Sequence, residues 1–176
     1  MLIKATFNNS NKKRWVYLLF FIPITLISCW SGNDDDSFYE NCGSLSPVIM
    51  DRASFENSIS FENSIEMRKT GKIYVKDDLV FINDVNRGFH VYQYENPETP
   101  VAIGYIKVPG ATDLAIRNNL IYINQAVDLV TISFDSNQNF EILNRVRNVF
   151  PQKTSLYAYN YEISENDVIV DFVERF

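Results

Sequence analysis

"KIYVKDDLVFIND", Lys72 to Asp84, and "DLAIRNNLIYINQ", Asp113 to Gln125, are two versions of one pattern. Laid over each other, Ile73 meets Leu114, Val75 meets Ile116, Leu79 meets Leu120, Phe81 meets Tyr122 and Asn83 meets Asn124. In both, apolar and polar side chains alternate, stop at a pair of Asp or Asn residues, and resume. A period of two marks a half-buried strand. Asp-Asp and Asn-Asn tolerate the positive φ that a two-residue hairpin turn demands. Each stretch therefore reads as a β-hairpin.

Farther along the chain the likeness continues. After deletion of one residue, "FHVYQY" from Phe89 lies over "LVTISF" from Leu129, and "VAIGYI" from Val101 lies over "EILNRV" from Glu141. The first repeat reads as four strands, at 72–76, 79–83, 89–94 and 101–108. Between the third and fourth, Asn96-Pro-Glu-Thr-Pro100 removes two backbone donors, so the chain must leave the sheet there. Pro109-Gly110 closes the unit. Four strands in about 40 residues is the size of a propeller blade, and two such units are too few to close a ring.

"FHVYQYENPETPVAIGYI" resembles the LVIVD repeat, whose blades carry an apolar strand, Asn-Pro-x-x-Pro, and a Val-rich strand. "GKIYVKDDLVFIND" and "PGATDLAIRNNLIYINQAVDLVTI" are similar to Bacteroidota lipoproteins of that family. The resemblance spans roughly residues 55–150 and implies a β-propeller-like fold. The second repeat departs from it, with "DSNQNFEIL" in place of Asn-Pro-x-x-Pro.

The flanks are less regular. "SFENSISFENSI", Ser54 to Ile65, writes six residues twice. Its even period suits a strand, while Phe55/Ile59 and Phe61/Ile65 also pair at helical spacing. The expectation is a short helical turn after Asp51 passing into a lead-in strand. At the C-terminus, Leu156–Ile163 and Val168–Val173 alternate around Glu165-Asn166-Asp167 and predict a hairpin capping the open edge of the second repeat. Failing that cap, the chain self-associates.

Lys12, Lys13 and Arg14 precede "WVYLLFFIPITLI", Trp15 to Ile27, the layout of a secretory signal and too short for a spanning helix. It ends in Leu26, Ile27, Ser28 and Cys29, which resembles a bacterial lipobox. That resemblance implies cleavage before Cys29 and its acylation, more than one chain being needed for stable anchoring. Asp34, Asp35 and Asp36 follow, resembling the acidic export signal of Bacteroidota surface lipoproteins; Trp30, directly after the Cys, does not fit an inner-membrane retention signal. The expected location is the outer membrane, lipid-anchored, facing the surface or the periplasm. With Cys29 lipidated, Cys42 has no intrachain partner. The expected organisation is a signal at 1–28, a lipidated Cys and acidic flexible tether at 29–53, and an all-β domain at 54–176.

Net charge is -6 and falls to -10 once Lys4, Lys12, Lys13 and Arg14 leave with the signal. No basic stripe remains to replace phosphate counterions, which argues against nucleic acid as a partner. His90 is the single histidine, so no Cys/His zinc set can be assembled, and it reads as a strand residue that is either exposed or satisfied by hydrogen bonds. Neither a Gly-rich phosphate loop nor a nucleophile elbow occurs, and the Asp34–Asp36 run lacks the ligand order of an EF-hand. No cofactor or metal is implied. Tyr92, Tyr94 and Tyr105 are candidates for an aromatic platform on which a protein or glycan could rest. The expected function is a non-catalytic β-repeat binding or accessory module at the envelope, with a homo-oligomer allowed. The alternative is a small hydrolase using the turn carboxylates Asp77, Asp78, Asp84, Asp113 and Asp128.

Overall fold

The computed structural model describes residues 45–155 and 163–174. The fold is all-β. Strand β1 (Leu45–Asp51) leads into a single helical turn, α1 (Arg52–Glu56), and a short strand, β2 (Ser60–Glu62). Asp51 caps the turn by accepting the Ser54 N–H at 3.0 Å, as a short acidic N-cap does. The helical turn and lead-in strand expected around "SFENSISFENSI" are thus both present.

The first repeat follows as β3 (Thr70–Lys76), β4 (Leu79–Asp84), β5 (Gly88–Gln93) and β6 (Val101–Lys107). The second is β7 (Ala111–Arg117), β8 (Leu120–Gln125), β9 (Asp128–Phe134) and β10 (Phe140–Val146). Both are antiparallel meanders, β10-β9-β8-β7 in one sheet and β6-β5-β4-β3 in the other, with β2 added beyond β6. The turns work as their residues dictate: Asn118 and Asn119 both have positive φ, at 49° and 65°, and Asp77 has φ 52°. The Asn96–Pro100 segment lies outside the sheet and is exposed.

The sheets pack face to face. Phe81, Phe89, Val91 and Ile106 of the first repeat meet Ile121, Ile123, Val130 and Ile132 of the second, all at most 1% exposed. Phe134 reaches across to Phe61 and Phe81, with ring centroids 5.1 and 6.0 Å away. Each such side chain contributes about 1.5–3 kcal/mol by leaving water. Near the sheet edges, Asp113 of β7 takes Lys72 Nζ at 2.6 Å and the Tyr74 hydroxyl, both from β3. The Lys72 and Tyr74 donors hold the Asp113 carboxyl below the usual carboxylate range; burial, then the bond to Asp113, pushes Tyr74 up to about 12.

Two expectations about the flanks need correction. Residues 29–53 are not tether throughout, because β1 already begins the folded part at Leu45. The C-terminal strand, β11 (Asp167–Glu174), does not cap the second repeat; it pairs antiparallel with β1, from Leu45↔Glu174 to Asp51↔Asp167. The physical reason is a second, smaller core, in which Val168 and Val170 of β11 bury against Phe55, Ala126 and Val127, with Met50 of β1 alongside. Of the expected partner strand, 156–162 lie outside the described residues. Cys29, the rest of the lipobox, Asp34–Asp36 and Cys42 also lie outside them.

Candidate functional site

The corner between β4 and β5 organises a cleft. Gly88 has φ +152°, and a Cβ there would stand 2.1 Å from the Ile106 carbonyl oxygen, so the close β5–β6 approach demands glycine. Just before it, the Asp84 carboxylate is fully buried and collects the Lys69 N–H at 2.9 Å and the Arg87 guanidinium at 2.6 Å. This pair fixes the lead-in segment and aims Arg87 outward. His90 Nε2 lies 3.6 Å from Asp84 and makes no hydrogen bond, and its ring packs at a tilt of 54° against Tyr105, centroids 4.9 Å apart. Burial pushes the Tyr105 hydroxyl well above its ordinary value.

Asn86, with φ 64°, is the node of the corner. Its backbone bonds Ala111 and Gly110 at the junction between the repeats, and its side-chain amide donates to Asp171 of β11 and accepts from Lys153. Burial lowers the Lys153 amine, partly offset by Asp171.

These groups surround a cleft of about 480 Å³. Arg68, Arg87 and Lys107 supply cations, Glu62 and Asp171 carboxylates, and Met50, Ile65 and Val170 an apolar wall. Arg87 is committed to Asp84 and Lys107 to Glu62, at 3.6 Å. Among the described residues the Arg68 guanidinium has no ion-pair partner. The cleft is therefore suited to polar ligand groups, with Arg68 free to meet an acceptor oxygen.

The second repeat uses its own corner differently. Asp128, also fully buried, takes Arg52 at 2.9 Å, Arg145 at 2.9 Å and the Asn148 N–H at 3.0 Å. Both guanidiniums lie over the Phe55 ring, 5.4 and 5.5 Å from its centroid. Arg145 stands where the first repeat has Tyr105, and Val130 where it has His90, each pair directly opposed across the strands. This corner is filled by α1 rather than open.

The three expected tyrosines share the outer face of the first repeat but differ in exposure, so they do not make an open platform. Tyr105 is 2% exposed and forms part of the cleft lining, whereas Tyr92 is half-buried and Tyr94 is 37% exposed. The His90 ring of β5 packs against Tyr105 and β2 pairs beside it at Glu62, which alternation alone could not reveal. His90, too, is neither exposed nor fully bonded. Four of the five turn carboxylates serve structural partners: Asp77 pairs with Lys76, Asp113 with Lys72, and Asp84 and Asp128 with arginines, while the fifth, Asp78, sits exposed in the β3–β4 turn. Among the described residues no group of three or more His, Cys, Asp or Glu side chains converges as a metal would need. Arg68, Asn86, Arg87 and Asp171 were not singled out from the sequence; the Asn86–Arg87 pair at a repeat corner was the one available signal.

Two blade-like antiparallel repeats, joined in tandem and tied by a strand pair from the chain's two flanks, define a repeat-built all-β protein. No family model matches the sequence, and neither a curated protein nor a solved structure matches it.

Proposed function

We propose that this protein is a lipid-anchored module of the outer membrane or cell surface that binds a protein or glycan partner without chemical turnover. The observation that carries the binding reading is the cleft of about 480 Å³ with the free Arg68 guanidinium beside Arg87, Tyr105 and Asp171. Its size is that of a small-ligand or side-chain pocket, and its mixed charge suits a polar partner more than a lipid tail. The anchoring reading rests on Leu26, Ile27, Ser28 and Cys29 after an apolar run, with Asp34–Asp36 behind them. Further support comes from Asp77, Asp84, Asp113 and Asp128, four of the five turn carboxylates, each already engaged by a cation.

Affinity co-purification from native membranes tests both halves. A tagged full chain retaining Cys29 should bring down a stoichiometric partner or retain a glycan. Cys29→Ala should leave the membrane fraction, and Arg68→Glu should stay in it but lose the partner. Turnover of an envelope polymer that disappears with Glu62→Gln or Asp171→Asn would instead make the cleft a hydrolase site.

A further inference from the structure

The contact between the repeats joins unlike faces. The first repeat turns Leu79, Phe81 and Phe89 to the core, and the second turns Ile121, Ile123 and Ile132. In the repeat register these sets do not correspond. Leu79, Phe81 and Phe89 match Leu120, Tyr122 and Leu129, on the second repeat's outer face. Ile121, Ile123 and Ile132 match Val80, Ile82 and Tyr92, on the first repeat's outer face. Each repeat thus has a front and a back, and the chain packs the front of one on the back of the next. One back and one front are left over.

We infer that the two leftover faces bind each other between copies of this chain, head to tail. The first repeat's free face carries Ile73 and Val75, both 61% exposed, and Tyr94 at 37%. The second's carries Val146 at 47%, with Leu120, Tyr122 and Leu129 half-buried. Charge is complementary at the same place. Lys72 and Asp113 occupy equivalent positions and pair inside the chain at 2.6 Å. Repeating that contact between copies brings Asp113 to the second copy's Lys72, opposite charges again. Likewise the Phe81–Phe134 ring contact becomes Tyr122 against Tyr94.

The covered part of each face corresponds as well. Inside the chain, α1 fills the end of the contact at Arg145, through Phe55 and the Glu56 carbonyl. On the free face of the first repeat, Ile65 and Arg68 border the equivalent end at Tyr105. A contact between unlike faces leaves new unlike faces at its ends, so it either closes into a ring or propagates. Two copies supply the four blades of the smallest propeller rings.

The test uses the full chain in excess detergent under reducing conditions, so that Cys42 cannot bridge copies, with two differently tagged forms. Wild-type chains should co-purify and show at least twice the mass of one chain by light scattering. Ile73→Glu/Val75→Glu and Val146→Glu, all at exposed sites, should each be monomeric alone with unchanged circular dichroism. Mixed together, the two variants should pair one to one, because one intact front still meets one intact back. A monomeric wild type, association untouched by both variants, or folded variants that fail to pair when mixed would overturn the inference.

Discussion

Replacing Asp128 by Ala should cost the fold about 3–5 kcal/mol, the range for removing one partner of a buried ion pair. The carboxylate is wholly buried, and Arg52 and Arg145 beside it are only 19% and 14% exposed. Its loss takes the buried carboxylate from both guanidiniums, leaving Arg52 only Asn148 Oδ1 and Glu56 and leaving Arg145 only the Glu56 carbonyl, strips the Asn148 N–H of its acceptor, and loosens the cations over Phe55. For a unit of this size the change corresponds to a fall in melting temperature of roughly 10–25 °C. Asp128→Asn keeps the shape and one acceptor and should lose less, though still more than about 1.5 kcal/mol. Urea unfolding of the chain from Gly43, followed by far-UV circular dichroism, measures this; both tryptophans precede that point, so their fluorescence is silent. Burial raises the Asp128 carboxyl, but the Asn148 N–H and the two arginines outweigh it and hold it below the usual carboxylate range. A depressed folded value means the stabilisation is complete above the unfolded value of about 3.9 and is lost as pH falls through the folded one. The Asn variant should therefore have a flatter acid limb. A loss below about 1 kcal/mol for Asp128→Ala, the yield of an exposed pair, would refute the view that this cluster pins α1 to the second repeat.

Gly88→Ala should abolish cooperative folding or cost more than about 3 kcal/mol, since the new Cβ meets backbone that cannot yield; solubility and circular dichroism report it. Tyr74→Phe removes a donor to Asp113 and an acceptor for the Leu114 N–H, and should cost about 1–2 kcal/mol in the same urea assay. Because the folded value of Tyr74 is raised to about 12, its contribution is fully present below about pH 10 and is lost as pH rises through the folded value. Urea midpoints at pH 9 and pH 11.5 should differ less in Tyr74→Phe than in the wild type.

The eight repeat strands were legible because their information is local. Alternation in "LVFIND" and "LIYINQ" and the Asn118-Asn119 turn fix strand, face and register within a few residues, and β4 and β8 fall where they should. "LSPVIMD", by contrast, has no clean alternation, and the sequence cannot show that its partner strand begins at Asp167. The cleft was illegible for the same reason. Arg68 comes from the lead-in, Asn86 and Arg87 from a corner, and Asp171 from the last strand, and only the tertiary path joins them. Asp128 looked like a turn residue; Arg52, 76 positions earlier, makes it an anchor.

The β1–β11 pairing also bears on when the protein can become native. Asp51 and Asp167 are 116 positions apart, and closing a loop that long costs about 4 kcal/mol in chain entropy before any contact repays it. The pairing cannot form until β11 has been synthesised, so Phe55 and the wall of the cleft stay unsealed while the two meanders collapse. Packing around Phe55 and the cleft wall is therefore the last part of the native structure to lock, whatever the order in which the two meanders form.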